Sequence, residues 1–278
     1  MGRAILSSVA LLLVGLFLLA CGGEHARAPS GVVTVPLDLK ETVDRLVRAL
    51  DVLDVAEVLD TYAEDFTSGT GRSKGWVADV LRQLRANRIS LVVERAEVEE
   101  MRPGEAKVRM HLRLRYTDYF RNLGEGEVIV TDILMHWLRK EAGRWKIYTD
   151  ERLATYRDGR FGAQPPNVAV TVPEKLPRGF SYPVTVSVQR ERDTVYQVMI
   201  GNYAEDPAVL PPPDVITLLP ADGVLRTDLL PNPQGRSEIV RITVIAADLT
   251  GKWQGATTVS TLVPSPRRTK PTGLQRTT

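Results

Sequence analysis

From Leu91 onward the apolar residues of this chain recur at every second position, and no later segment returns to a helical period. Val108, Met110, Leu112, Leu114 and Tyr116 alternate strictly with Arg109, His111, Arg113 and Arg115, which gives one strand face to a core and the other to water. The run Val128 to Leu138 is apolar on both phases: Ile133, Met135 and Trp137 alternate with Leu134, His136 and Leu138. Such a strand needs cover on both faces. Glu141 to Arg144 then turns the chain into a strand from Trp145 to Thr149.

Ahead of this stretch the period is that of helices. Leu39, Val43, Leu46, Val47 and Leu50 form one face, with Asp38 placed as an N-cap three residues before Glu41. Asp54 and Glu57 open a second helix, expected to run through Val58, Leu59 and Tyr62 to Phe66, where Gly69-Thr70-Gly71 breaks it. A third is expected from Trp76 to about Ala86, with Trp76, Val80, Leu81 and Leu84 on one side and Asn87 as its C-cap. Residues 36–160 therefore read as an α+β unit, with helices packed on an antiparallel meander.

A chain of 278 residues, 43% apolar and 25% charged, has room for two folded units. Gly159 to Asn167, with Pro165-Pro166, suits the boundary between them. Seven short alternating runs follow: Val168 to Val172, Tyr182 to Val188, Val195 to Ile200, Val215 to Leu219, Gly223 to Leu230, Ile239 to Ala247 and Ala256 to Val263. With Pro and Gly between them, they predict an all-β sandwich over 165–263. Pro211-Pro212-Pro213 suits an exposed loop or a sheet edge. Residues 264–278 are Pro-rich, basic and without period, the pattern of a disordered tail.

The first residues carry an address. Arg3 precedes an apolar run from Val9 to Ala20, too short to span a bilayer comfortably and followed by no basic stop-transfer cluster. Residues 1–20 therefore read as a secretory signal. The chain has a single Cys, so intrachain disulfides and Cys-based metal sites are excluded. That Cys closes Leu18-Leu19-Ala20-Cys21-Gly22, which resembles the bacterial lipobox. The resemblance implies cleavage after Ala20 and diacylation of the Cys21 thiol, frequently with a third chain (palmitate or a similar acid) on the freed amine. It also implies an envelope lipoprotein, with Gly22 favouring the outer membrane and the folded part facing the periplasm. Residues 21–35 then serve as a flexible tether, on which His25 is solvated.

Two further resemblances concern the folded part. The segment from Asp54 to Phe66 (DVAEVLDTYAEDF), together with the closing hairpin Trp137-Leu138-Arg139-Lys140-Glu141 to Gly143-Arg144-Trp145-Lys146-Ile147, is similar to SnoaL-like proteins of the ketosteroid-isomerase and nuclear-transport-factor-two-like superfamily. This implies a cone, that is, a bent sheet wrapped around helices over a pocket, and frequent dimerisation. The runs Pro183 to Val188 and Ile242 to Trp253 resemble immunoglobulin-like bacterial surface domains, without their disulfide.

Chemistry is sparser. A cone-type enzyme needs a carboxylate or His base on the inner wall. Asp132 and His136, an even number of residues apart on one strand, are the weak catalytic candidates, with Tyr62 beneath the sheet; His111 belongs to the outer face. The pair reads more readily as a satisfied polar pair at a domain or dimer interface. The stripe of Arg109, Arg113 and Arg115 could take an anion, but Glu94, Glu97, Glu99 and Glu100 on the preceding segment could pair with it. No cofactor or metal is implied. A net charge of +2 gives nucleic-acid binding no support. The sequence thus reads as a non-catalytic binding or scaffolding lipoprotein, held to the membrane by acyl chains, with an envelope protein, a small apolar ligand or a second copy as partner. A SnoaL-like isomerase, hydrolase or dehydratase acting on a hydrophobic small molecule is the rival.

Overall fold

The computed structural model describes residues 35–176, 180–204, 214–231 and 237–264. The signal segment, Cys21, His25 and nearly all of the tether, Pro211–Pro213, and the tail from 265 lie outside the described residues.

The first helix, α1 (Leu37–Asp51), buries Leu39, Val43, Leu46, Ala49 and Leu50, the face that its 3.6 period marks out. Its N-cap is Pro36 rather than Asp38: the proline ring presets a φ of −59° and starts the helix two residues earlier than expected. The Asp38 carboxylate instead accepts from Leu39 N at 2.9 Å and pairs with Lys140 at 2.5 Å. In α2 (Val55–Asp60), Asp54 caps as expected, accepting from Glu57 N at 3.1 Å. The helix α3 (Lys74–Ala86) ends at Asn87 and packs its Val77, Ala78, Leu81 and Leu84 face inward. Trp76 stays on the outside, 40% exposed beneath the Arg72 guanidinium.

Four long strands form the meander: β1 (Ser90–Arg102), β2 (Glu105–Phe120), β3 (Gly124–Glu141) and β4 (Arg144–Gly162). Ala142 and Gly143, at φ +46° and +81°, make the tight β3–β4 turn. The final strand runs well beyond the Thr149 expected for it, and this shapes two other regions. Near its start, β4 captures the segment after α2. Ile147 N donates to Thr61 O at 2.8 Å, Ala63 N to Ile147 O at 2.9 Å and Thr67 N to Tyr148 O at 3.2 Å. Pairing with a sheet, together with burial of Tyr62 and Phe66, thus overrides the helical pattern, and α2 stops at Asp60 instead of Phe66.

Near its end β4 crosses the expected boundary at 159–167 and pairs with the last strand of the chain. The remaining strands are β5 (Val168–Thr171), β6 (Tyr182–Val188), β7 (Thr194–Ala204), β8 (Val215–Leu218), β9 (Val224–Leu229), β10 (Glu238–Asp248) and β11 (Trp253–Val263). One eight-stranded sheet runs in the order β1-β2-β3-β4-β11-β10-β7-β8, and a second of three strands in the order β5-β6-β9. Every strand pairing is antiparallel.

Register decides which face each cover lies on. Val108 opposes His136 and Leu112 opposes Asp132, so these side chains share the face against the helices. Across β4 and β11 that face continues through Gly159 and Thr258, while Asp158, Val259 and Ile242 lie on the reverse. On the reverse, Val240, Ile242 and Val244 share a core with Val184 and Val186 of β6 and Val198 and Ile200 of β7. The helices cover one face of the large sheet at one end, and the small sheet covers the other face at the other end.

Candidate functional site

His136 is the most enclosed titratable group of the helix-covered half. It is 2% exposed and lies in a seam between α1 and the sheet, lined by Thr42, Val43, Leu46, Thr61, Val108, Met110, Leu138 and Ile147. The seam has no room for a water molecule. Nδ1 of His136 has no hydrogen-bond partner, and burial brings its pKa down to about 4. The group is therefore neutral at ordinary pH. A general base needs the proton it takes within hydrogen-bond reach, and the walls here are almost entirely hydrocarbon.

Asp132 shares the helix-facing side of β3, as its even spacing from His136 requires, but Leu134 stands between them and the two are about 13 Å apart along the strand. Its Oδ1 lies 3.6 Å from Arg152 Nε, an ion-pair distance too long for a hydrogen bond, and makes no other hydrogen bond. The two candidates share a face without forming a dyad. Tyr62 is buried against Phe66, ring centroids 4.7 Å apart at 82°; burial, reinforced by the charge of Asp150, holds its phenol well above the usual range. Asp65 pairs with Arg139 at 2.5 Å, and that hydrogen bond holds its carboxyl below the ordinary value. His111 falls on the reverse face, opposite Ile133 and Arg95.

The arginine stripe is neutralised by acids. Arg109 pairs with Glu99 at 2.6 Å, Arg113 with Glu94 at 3.4 Å and Arg115 with Glu127. An anion would have to displace a carboxylate at each position, so the stripe does not form an anion site. Among the described residues, no group of three or more His, Cys, Asp and Glu is placed to hold a metal ion, and no helix is long and apolar enough to cross a membrane.

One polar cluster escaped the sequence reading. Glu238 is fully buried in the two-sheet core, accepting from Tyr182 Oη at 2.7 Å and from Asn202 Nδ2 at 3.0 Å. Asn202 also donates to Leu230 O at 2.8 Å. Its signal was in the alternation: Glu238 is in phase with Val240, Ile242 and Val244, so a charged residue occupies a core position. A second pair, Arg157 with Asp118 at 2.8 Å, lies on the helix-facing side of the sheet beyond the helices, its guanidinium 5.7 Å from the Tyr116 ring centroid.

No family model matches the chain, and no curated protein matches it. Among solved structures, it is similar to Bd1075 of Bdellovibrio bacteriovorus at 14% identity and a TM-score of 0.34, over 41% of this chain and 38% of that one. It is similar to a type 2 hexachlorocyclohexane dehydrochlorinase, LinA, at 8% identity and a TM-score of 0.34, over 41% and 81%. Aln2 from a Streptomyces species is 12% identical with a TM-score of 0.32, over 41% and 86%. The chain thus spans well under half the length of Bd1075, and each likeness covers about two-fifths of this protein.

Proposed function

We propose that this protein is a lipid-anchored component of a bacterial envelope whose folded part binds or scaffolds without catalysis. The observation that carries the non-catalytic reading is the closed seam around His136: the one deeply buried imidazole among the described residues faces hydrocarbon, without space for a water or a substrate atom. The lipobox-like Leu18-Leu19-Ala20-Cys21 supplies the anchor. Each acyl methylene buried in a bilayer adds about 0.8 kcal/mol, so two or three chains on Cys21 hold the protein at the membrane. The tether of residues 21–35 then gives the folded part reach into the periplasm, from the outer membrane by the Gly22 signal. In finer terms the folded part is a SnoaL-like unit over 36–160 and an immunoglobulin-like sandwich over 165–263, with one sheet running through both. The SnoaL-like enzyme reading requires α1 to lift off β3 to admit substrate to His136, and nothing in the seam's apolar lining favours that.

Intact mass of the protein recovered from membranes, with Cys21→Ala fractionated in parallel, tests the anchor. An acylated Cys21, with the variant released to the soluble fraction, is the expected result; a soluble wild type with a free thiol overturns it. The non-catalytic reading fails if the protein turns over a hydrophobic small molecule and His136→Ala abolishes that turnover.

A further inference from the structure

The two ends of the large sheet are finished differently. At one end β1 carries Glu94, Arg95, Glu97, Glu99 and Glu100 and is interrupted by two bulges, between Val93 and Arg95 and between Val98 and Glu100. Charges and bulges of this kind keep a free strand edge from pairing with another chain. In the small sheet, edge strand β9 exposes Arg226 and Asp228, and β5 turns Val168 and Val170 onto the core. At the other end of the large sheet, β8 carries neither charges nor a bulge, and its shortness is its only guard among the described residues. Its four residues, Val215-Ile216-Thr217-Leu218, are uncharged and pair regularly with β7. Val215 is 46% exposed, Ile216 57% and Leu218 64%.

We propose that β8 is a self-association edge, joining two copies of this chain across a two-fold axis into one continuous sheet. The backbone fixes which residues offer their hydrogen-bonding groups to the edge. Leu219 N donates to Tyr196 O at 2.9 Å, so by alternation Leu219, Thr217 and Val215 turn their backbone groups towards β7, while Ile216 and Leu218 turn theirs to the edge that no strand pairs with among the described residues. The Leu218 carbonyl has a long local contact from Thr217 Oγ1 at 3.5 Å. In an antiparallel pairing centred on Thr217, Ile216 of each copy meets Leu218 of the other, and both meetings are reciprocal hydrogen-bonded pairs. The same register stacks Ile216 on Leu218 of the second copy twice on one face, and brings Val215 beside Leu219 on the reverse. Asp214 falls opposite Pro220, so no like charges meet. A strand that satisfies its own edge in this way, with no charge to complement on a different partner, selects a second copy of itself.

The register makes the test specific. At the axis the two Thr217 residues form a non-hydrogen-bonded pair with Cα atoms about 4.5 Å apart, inside the roughly 4.4–6.8 Å that a disulfide spans. The full chain carrying Thr217→Cys in a Cys21→Ser background is expected to form a covalent dimer under mild oxidation, whereas Val92→Cys, half-exposed on the guarded β1 edge, is expected to stay monomeric. The wild-type full chain in detergent is expected to sediment as a dimer. Ile216→Lys and Leu218→Lys, both at exposed positions, should sediment as monomers with unchanged circular dichroism. A wild type that is monomeric throughout, a lysine variant that stays dimeric, or cross-linking at position 92 but not 217 overturns the proposal. Cross-linking of position 217 to a different protein in place of a second copy also overturns it.

Discussion

In the helix-covered core, His136 is shut among hydrocarbon with Nδ1 unpartnered, whereas in the two-sheet core Glu238 is just as deeply buried but accepts from both Tyr182 and Asn202. The contrast follows from what each group can do when water is removed. An imidazole can shed its proton and enter an apolar seam as a neutral ring, at the cost of one lost hydrogen bond and a depressed pKa. A carboxyl group is tolerated in a core when donors replace its water. Glu238 therefore anchors its surroundings, and Tyr182 responds in kind: burial first, then its hydrogen bond to Glu238, holds the phenol well above its usual range. His136 fills space, with its Nδ1 bound to nothing.

The largest effect expected from this contrast is at Glu238. Glu238→Leu strands the Tyr182 hydroxyl and one Asn202 donor in a dry core and should cost about 3–5 kcal/mol by urea unfolding, since each orphaned buried donor costs about 1–3 kcal/mol and the cavity does not fit the new shape. A loss below about 1 kcal/mol would mean that the cluster is not holding the two sheets together. His136→Leu should do the reverse, most clearly against pH. The imidazole titrates near 6.5 in the unfolded chain and near 4 in the folded one. Above pH 6.5 both states hold it neutral. Between 6.5 and 4 the unfolded chain takes up a proton that the folded protein refuses, so stability falls with falling pH by on the order of 3 kcal/mol and then levels off. Unfolding free energies of wild type and His136→Leu from urea titrations should agree to within about 1.5 kcal/mol at pH 7.5 and separate in favour of the variant as the pH drops towards 4. Parallel curves would mean that His136 has a partner when protonated.

Two smaller effects test the sheet that joins the cores. Gly126→Ala places a Cβ 2.2 Å from Arg160 O and 2.3 Å from the Phe161 ring, and should cost about 1–3 kcal/mol because that ring lies flat where β3, β4 and β11 meet. A calorimetric scan of this variant should still show one transition; two would mean that the halves unfold separately. Arg113→Ala removes an exposed pair with Glu94 and should change stability by no more than about 0.5 kcal/mol.

The local periods were sufficient to mark strands that coincide closely with β5, β6, β8 and β9, and the Asp54 cap of α2, because these depend on side-chain alternation and on hydrogen bonds three residues apart. The stop of α2 at Asp60 was not legible, since the strand that captures Thr61 to Thr67 lies some eighty residues away. The candidate pair was legible in part. Even spacing put Asp132 and His136 on one face of β3, but whether that face meets helices or solvent depends on the register with β2. The arginine stripe and its acidic partners were both in view in the sequence, yet the pairing of Arg109 with Glu99 and Arg113 with Glu94 passes through the bulges of β1, which leave no trace in composition.

By itself, then, the sequence determined what repeats locally: the periods of helix and strand, the isolated Cys21 at the end of an apolar run, and the charged guard on β1 beside the uncharged β8. The tertiary structure alone decided that β4 passes through both halves, that the two covers lie on opposite faces of one sheet, and that His136 is dry while Glu238 is satisfied. The physical reason is range. Periodicity records which side of its own strand a residue takes, whereas partner strands, covering layers and donors for buried atoms come from segments far away in the chain, brought together only when the apolar faces close.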